Sequence, residues 1–362
     1  MIRLLVVDDS PLMRRLLGEI FEAEADFTVS FARDGGEAIA ALHGFKPDVV
    51  TLDIHMPGMD GIDCLDRIMV ERPCPVVMVS SLTAEGAAET LRALELGAVD
   101  FIPKPAGAVS LEIETLAPRL IEKVRAAAAA KLRPTLRLAE RVRARGAGAG
   151  RRPRAAAPAA GPVRIAVAGE APQGLVLVGT STGGPQALDA LLGPLPADFP
   201  WPVLVAQHMP ASFTGPLARR LDRLCAADVR EVDSPVPLTH GVYVARGDAD
   251  LILRRQGQAL VASPAPSDPA HRWHPSVDRL VRSAMAVLAP EQLVGVLMTG
   301  MGNDGAGAMA ELHRAGGRTI AEAEETAVVW GMPGELVKAG GAGQVAPLER
   351  IAERLIGLLA TP

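Results

Sequence analysis

Residues 1–12 read Met-Ile-Arg-Leu-Leu-Val-Val-Asp-Asp-Ser-Pro-Leu, and the fold can be read outward from them. Leu4–Val7 is an apolar run without the alternation of a half-exposed strand, so it predicts a strand buried on both faces. Asp8 and Asp9 end it, and Ser10-Pro11 has the form of a helix N-cap followed by proline at the first helical position. Leu12, Leu16, Leu17 and Ile20 then recur at helical spacing. The alternation continues. Phe27–Ala32, Val49–Leu52, Val76–Val79 and Phe101–Ile102 predict further strands, separated by helical patterns and by turns bearing Gly, Pro and Asp. Strands alternating with helices predict a parallel sheet covered on both faces, and such sheets bind ligands at the carboxyl ends of their strands.

The polar residues at those ends gain a meaning from this rule. Asp8 and Asp9 follow the first strand, Asp53 the third, Ser80 and Ser81 the fourth, and Lys104 the fifth. Three carboxylates at one edge repel one another unless a cation offsets them, and a hard divalent ion with oxygen ligands does so; Mg2+ is the usual choice near phosphate. The Lys104 ammonium suits a phosphoryl oxygen and a hydroxyl suits another, which makes the Asp53 carboxylate the candidate phosphoryl acceptor. Any one aspartate could simply cap a helix; the set at successive strand ends is not explained that way.

VVDDS, LDIHMPGMDG, VMVSS and GAVDFIPKP also resemble the receiver domains of two-component response regulators, over about the first 120 residues. The resemblance implies phosphorylation of Asp53 by a histidine kinase, with Mg2+ on Asp8, Asp9, Asp53 and the backbone carbonyl of His55. It implies that Ser80 and Lys104 read the phosphoryl group and that Phe101 takes the place of the family's aromatic switch.

Composition marks where this unit ends. From Ala126 to Gly161 the chain is mostly Ala, Arg, Gly and Pro, and after Gly146 it has no apolar period, so a flexible linker is predicted over 121–171. Residues 131–154 hold nine Lys or Arg and one Glu, a local +8, so the remainder carries −13 of the overall −5. An acidic body excludes a typical nucleic-acid binder. No run reaches the roughly 18 uninterrupted apolar residues of a membrane span, and the start turns acidic too early for a signal peptide. The expectation is a cytoplasmic protein without membrane insertion. Cys64, Cys74 and Cys225 are too widely spaced for a disulfide framework or a metal pair and read as small buried apolar residues.

The second unit, expected over 172–360, opens with Leu175–Val178 running into Gly179-Thr180-Ser181-Thr182-Gly183-Gly184-Pro185. The form G-x-S-x-G fits a sharp strand-to-helix turn that presents a serine hydroxyl beside a helix N-terminus. On its own it fits a nucleotide-binding loop equally well. Val203–Ala206 is a second strand and delivers His208; Leu293–Met298 is a third and leads into Thr299-Gly300-Met301-Gly302-Asn303-Asp304-Gly305. A nucleophile, a base and a carboxylate thus all follow parallel strands. Their order, Ser-His-Asp, differs from that of α/β-hydrolases. His271 and His274, in HRWHP, are rivals for the base or for a metal, although no third ligand is evident.

VGTSTGGPQAL, VAQHMPASFTGPLA, PSVDRL, VLMTGMGNDGA and VVWGMPG resemble the catalytic domain of the chemotaxis protein-glutamate methylesterases, across most of residues 175–337. A receiver ahead of this domain is that family's usual layout. The resemblance implies an α/β chain of two doubly wound parallel-sheet domains, with Ser181 as nucleophile, His208 as general base and Asp304 as its orienting partner. The backbone amides of Met301 and Thr182 are the candidate oxyanion donors. It further implies demethylation of glutamate methyl esters on chemoreceptors, deamidation of certain receptor glutamines, and no organic cofactor. Arg246 and Ala327 depart from the family pattern, outside the expected triad. A DNA-binding output would need a basic helix-turn-helix module, which the acidic, strand-alternating second unit does not offer. A nucleotide-dependent oxidoreductase would want an acid at the end of the next strand, where Gln207-His208 stands.

Overall fold

The computed structural model describes residues 1–81, 83–104, 109–132 and 172–360. The basic segment and most of the expected linker, 133–171, lie outside the described residues.

The first unit alternates strands and helices: β1 (Ile2–Val7), α1 (Pro11–Glu22), β2 (Phe27–Ala32), α2 (Gly35–Gly44), β3 (Val49–Asp53), α3 (Gly61–Glu71), β4 (Val76–Ser80), α4 (Ala84–Leu96), β5 (Asp100–Pro103) and α5 (Val109–Ala128). Ser10 caps α1 as expected, its hydroxyl accepting from the Met13 amide. The sheet order is β2-β1-β3-β4-β5, with every neighbouring pair parallel. Leu4, Leu5 and Val6 are wholly buried, in keeping with helices on both faces. The expected boundary at residue 120 falls inside α5, which continues to Ala128.

The second unit contains β6 (Leu175–Thr180), α6 (Gly184–Leu192), β7 (Val203–Gln207), α7 (Ala211–Leu224), β8 (Val229–Val232), β9 (Val236–Pro237), β10 (Val242–Ala245), β11 (Ala249–Gln256) and β12 (Ala259–Pro266). It continues through α8 (Val277–Met285), β13 (Leu293–Leu297), α9 (Ala306–Arg314), β14 (Arg318–Glu322), α10 (Met332–Lys338), β15 (Gln344–Ala346) and α11 (Leu348–Ala360). Its parallel sheet has the order β15-β14-β13-β6-β7-β10-β8. The chain winds one way from β6 and the other way through β13, so the switch point lies at β6, flanked by β13 and β7. A separate antiparallel sheet, β11-β12-β9, was not foreseen. β11 mixes charged and apolar residues (Ala249–Gln256 reads ADLILRRQ) and β12 carries two prolines (Ala259–Pro266 reads ALVASPAP), so neither has the pattern of a buried run.

The units pack directly on each other. One apolar cluster runs through Leu91 and Leu94 of α4 and Leu188, Phe213 and Leu217 of α6 and α7. Arg220 pairs with Glu95 at 2.6 Å and also with Asp189. Phe101 packs on Phe213, with ring centroids 4.3 Å apart. Cys64 and Cys74 are buried, and burial pushes both thiols up to about 12. Among the described residues no helix is long and apolar enough to cross a membrane.

Candidate active site

At the edge of the first sheet, ligand oxygens of Asp8, Asp9 and Asp53 lie within 4.8 Å of one another. Asp8 and Asp53 are buried. The Lys104 ammonium stands 2.8 Å from Asp53 and 3.3 Å from Asp8. One oxygen of each, Asp8 Oδ2 and Asp53 Oδ2, is nevertheless buried without a well-directed hydrogen bond. Burial, and then the Asp53 charge, raises the Asp8 carboxyl above its ordinary value. Burial disfavours the Lys104 ammonium, but the two carboxylates more than restore it, so Lys104 is raised. Oxygens only, with three acids and a single ammonium shared between two of them, make a donor set that fits a hard divalent cation. The His55 amide donates to Asp53 at 3.3 Å while its ring turns out to Glu89 at 3.1 Å, which leaves only the main chain of His55 at the pocket. Ser80 faces α4: its hydroxyl accepts from Thr90 at 2.7 Å and meets the Gly86 carbonyl at 3.2 Å.

At the edge of the second sheet, Ser181 follows β6 directly. Gly183 makes the turn into α6 with φ of +77°, and a Cβ there would come within 2.7 Å of Val328. The turn is held from both sides. Ser181 donates its amide to the Thr299 carbonyl at 3.0 Å, and Gln207 donates its side-chain amide to the Ser181 carbonyl at 3.0 Å. His208 follows β7 and its amide reaches the Thr180 carbonyl at 3.0 Å. Asp304 comes from the long loop after β13.

The sequence-predicted residues converge here. His208 Nε2 lies 2.8 Å from Asp304 Oδ2. The Asp304 carboxylate also accepts from the Val277 amide at 2.7 Å, the Asp278 amide at 3.1 Å and the Ser276 hydroxyl at 3.1 Å, all at the N-terminus of α8. Burial opposes its ionisation, but these bonds and His208 outweigh burial and hold it below the usual carboxylate value. His208 Nδ1 is buried and without a partner. Among the described residues no hydrogen bond joins it to the Ser181 hydroxyl, although both residues line one cavity of about 260 Å³ between the units. The amides of Thr182 and Met301 hold no hydrogen bond among the described residues, whereas that of Ser181 is spent on Thr299.

The rival histidines are placed apart. His274 Nδ1 lies 3.0 Å from the wholly buried Asp250, which also receives Arg279 and the Ser276 amide. His271 Nδ1 is 3.4 Å from the Ser276 hydroxyl, and together with Asp278 it comes within 4.8 Å of Asp304. Asp304 already accepts four hydrogen bonds, so it has no lone pair to spare for a metal in that cluster.

Four residues went unremarked in the sequence. Asp250 lies in the unforeseen antiparallel sheet. Asp100 crosses from the first unit to accept the Thr182 hydroxyl at 2.6 Å. Trp273 stacks on His208, and Glu122 of α5 pairs with Arg272. HRWHP drew notice for its histidines, and nothing in sequence spacing tied it to the base.

A phospho-acceptor pocket of receiver type and a serine–histidine–aspartate constellation on a second parallel sheet define a receiver joined to a hydrolase-like output. Residues 4–114 match the response regulator receiver domain and residues 176–355 the CheB methylesterase. The chain is 56% identical over 357 residues to a protein-glutamate methylesterase/protein-glutamine glutaminase 2 of Rhodopseudomonas palustris (strain BisB18), covering 98% of each. It is 52% identical to a homologue numbered 3 from Rhodospirillum rubrum, over 98% of this chain and 95% of that protein. The crystal structure of the Thermotoga maritima CheB methylesterase catalytic domain superposes with a TM-score of 0.50 at 38% identity, over 51% of this chain and 98% of that one. The chain belongs to the CheB methylesterase family and carries that family's receiver.

Proposed function

We propose that the chain is a phosphorylation-controlled protein-glutamate methylesterase and protein-glutamine glutaminase, with a receiver that runs through α5 to Ala128, a linker from there to 171 and a catalytic domain over 172–360. The observation that carries this reading is the state of His208. One ring nitrogen sits on a saturated carboxylate, the other is buried without a partner, and the ring lines the same cavity as Ser181. A base needs this arrangement: an oriented tautomer and an open lone pair.

In the reaction, Ser181 Oγ adds to the side-chain carbonyl of a methylated glutamate on a chemoreceptor while His208 takes its proton. The amides of Met301 and Thr182 stabilise the oxyanion. His208 returns the proton to the departing methoxide, methanol leaves, and water activated by His208 hydrolyses the glutamyl ester on Ser181. A glutamine amide passes through the same tetrahedral geometry and releases ammonia. Asp304 stays ionised throughout, because its four donors hold it so.

Control resides in the receiver. Asp53 accepts the phosphoryl group from a chemotaxis histidine kinase, and Ser80, Phe101 and Lys104 respond to it. Asp8, Asp9, Asp53 and the His55 carbonyl would hold Mg2+, which supplies charge neutralisation for the phosphoryl oxygens. The receiver lies over the catalytic edge, since Phe101, Leu120 and Lys123 line the same cavity as Ser181 and His208. A receptor helix is far larger than this cavity, so in this arrangement the receiver occludes the site. The setting is the cytoplasm, where receptors present their methylated helices. The test is methanol release from methylated receptor membranes, with and without a small phosphodonor. The expected result is release that rises with phosphodonor; no release in either condition would overturn the reading.

A further inference from the structure

The hydrogen bond to Asp304 fixes one atom of the His208 ring but not the tilt of the ring plane. A second contact is needed if Nδ1 is to keep one direction toward Ser181, and the 271–276 loop provides it. The Trp273 ring lies parallel to the imidazole within 2°, with centroids 5.6 Å apart. The two side chains, together with Ser181 and Met301, line the cavity between the units.

The indole is itself held. A Cβ on Gly302 would come within 2.6 Å of Trp273 Cη2, and Gly302 has φ of +75°. Gly302 sits two residues before Asp304, so the loop that delivers the carboxylate closes directly over the indole. The Arg272 guanidinium stands 5.1 Å from the indole centroid and pairs with Glu122 of the receiver.

We propose that Trp273 is a positioning residue for the catalytic base. Its flat face fixes the plane of His208, and its π-electrons favour the imidazolium that forms when His208 takes the serine proton. The proposal rests on His208 being the base of the methylesterase reaction. Among the described residues no other contact of the ring supplies both effects, because Asp304 meets the ring edge-on through Nε2. The charged and titratable groups around the imidazole are Asp304 at Nε2 and, across the cavity, Asp248, Arg272 and His274 of its own unit. Arg119, Glu122 and Lys123 face it from the receiver.

The test uses the full chain with Trp273→Phe, which keeps a flat aromatic face, and Trp273→Leu, which keeps apolar bulk without one. Two quantities are read: kcat and KM for a small soluble ester across pH, and the NMR titration of the His208 ring. Trp273→Leu is expected to lower kcat roughly ten- to a hundredfold, as a misdirected base does, and to lower the His208 titration midpoint through loss of the π-face. Trp273→Phe is expected to restore most of both. A purely structural tryptophan would move thermal stability alone. An indole that merely shields the ring from water would give the opposite sign, because opening the site hydrates the imidazolium and raises the midpoint. If Trp273→Leu does not fold, tetrafluorotryptophan at 273 keeps the shape and cancels the π-face, and it should lower the midpoint in the same sense. An unchanged or raised midpoint, or equal activity in the Leu and Phe variants, overturns the proposal. Full activity of His208→Gln would instead refute the reading of the base, whatever the titration does.

Discussion

The two sheet edges use the same residue type in opposite states. In the receiver, Asp8 and Asp53 are buried and share one ammonium, that of Lys104, and the Asp8 carboxyl is raised. In the catalytic unit, Asp304 is equally buried but accepts from two amides, a hydroxyl and an imidazole, and its carboxyl is lowered. Burial alone does not determine what a carboxylate does; the lone pairs left over do. Carboxylates that share a single ammonium keep lone pairs to spare and suit a pocket that takes up a cation and a phosphoryl group. A saturated carboxylate has no capacity for either and serves to orient the one partner that must react. The topology reinforces the contrast, since both sites sit at the edge where their sheets reverse winding, yet only one draws its carboxylate from a long loop laid across a helix N-terminus.

The largest effect expected from breaking the catalytic edge is loss of methanol release by roughly 10⁴-fold or more in Ser181→Ala and His208→Gln, with circular dichroism unchanged. The double variant should be little worse than either alone, because the residues act as one unit. Inactivation by His274→Gln but not by His208→Gln would move the base to the other histidine–aspartate pair.

Removing the receiver gives a smaller change. A fragment beginning at Pro172 loses the Asp100–Thr182 hydrogen bond and the Phe101–Phe213 and Glu95–Arg220 contacts. On receptor it should outrun the unphosphorylated full chain, by at most about a hundredfold if the closed state holds about 99% of molecules. A folded fragment no faster than the resting chain would make the receiver an activator rather than a cover.

Altering the receiver pocket should leave resting activity in place. Asp53→Asn is expected to keep basal release, to incorporate no phosphate from acetyl phosphate, and to lose all stimulation. In the unaltered chain, labelling should require Mg2+. Labelling of Asp53→Asn at normal stoichiometry would place the acceptor elsewhere.

The smallest effect is on stability and separates the two kinds of carboxylate by pH. Because the folded Asp304 carboxyl is held below its ordinary value of 3.8, its contribution is present above that value. It is lost as pH falls through the lower folded one. Urea midpoints of the unaltered chain and Asp304→Asn should therefore differ most near pH 6 and converge in strong acid. A gap that widened toward low pH would contradict the saturated state of Asp304.

Much of this organisation was legible in the sequence because it depends on local order along the chain. Leu4–Val7 and Leu175–Val178 declare strands buried on both faces by lacking alternation, and the rule that function gathers at strand ends then selected Asp53, Lys104, Ser181 and His208. The antiparallel sheet was not legible, since Ala249–Gln256 alternates imperfectly and carries two arginines. Nor was the placing of the rival histidines, His271 and His274. It is the packing of the Asp304 loop on the start of α8 that gives His208 its carboxylate and leaves His274 to Asp250. The contacts of Asp100 with Thr182 and of Trp273 with His208 join residues 82 and 65 positions apart. Such pairings arise from how two finished surfaces meet. A sequence can announce strands, turns and the residues at their ends through short-range patterns, but which of those residues touch is decided only when the chain closes on itself.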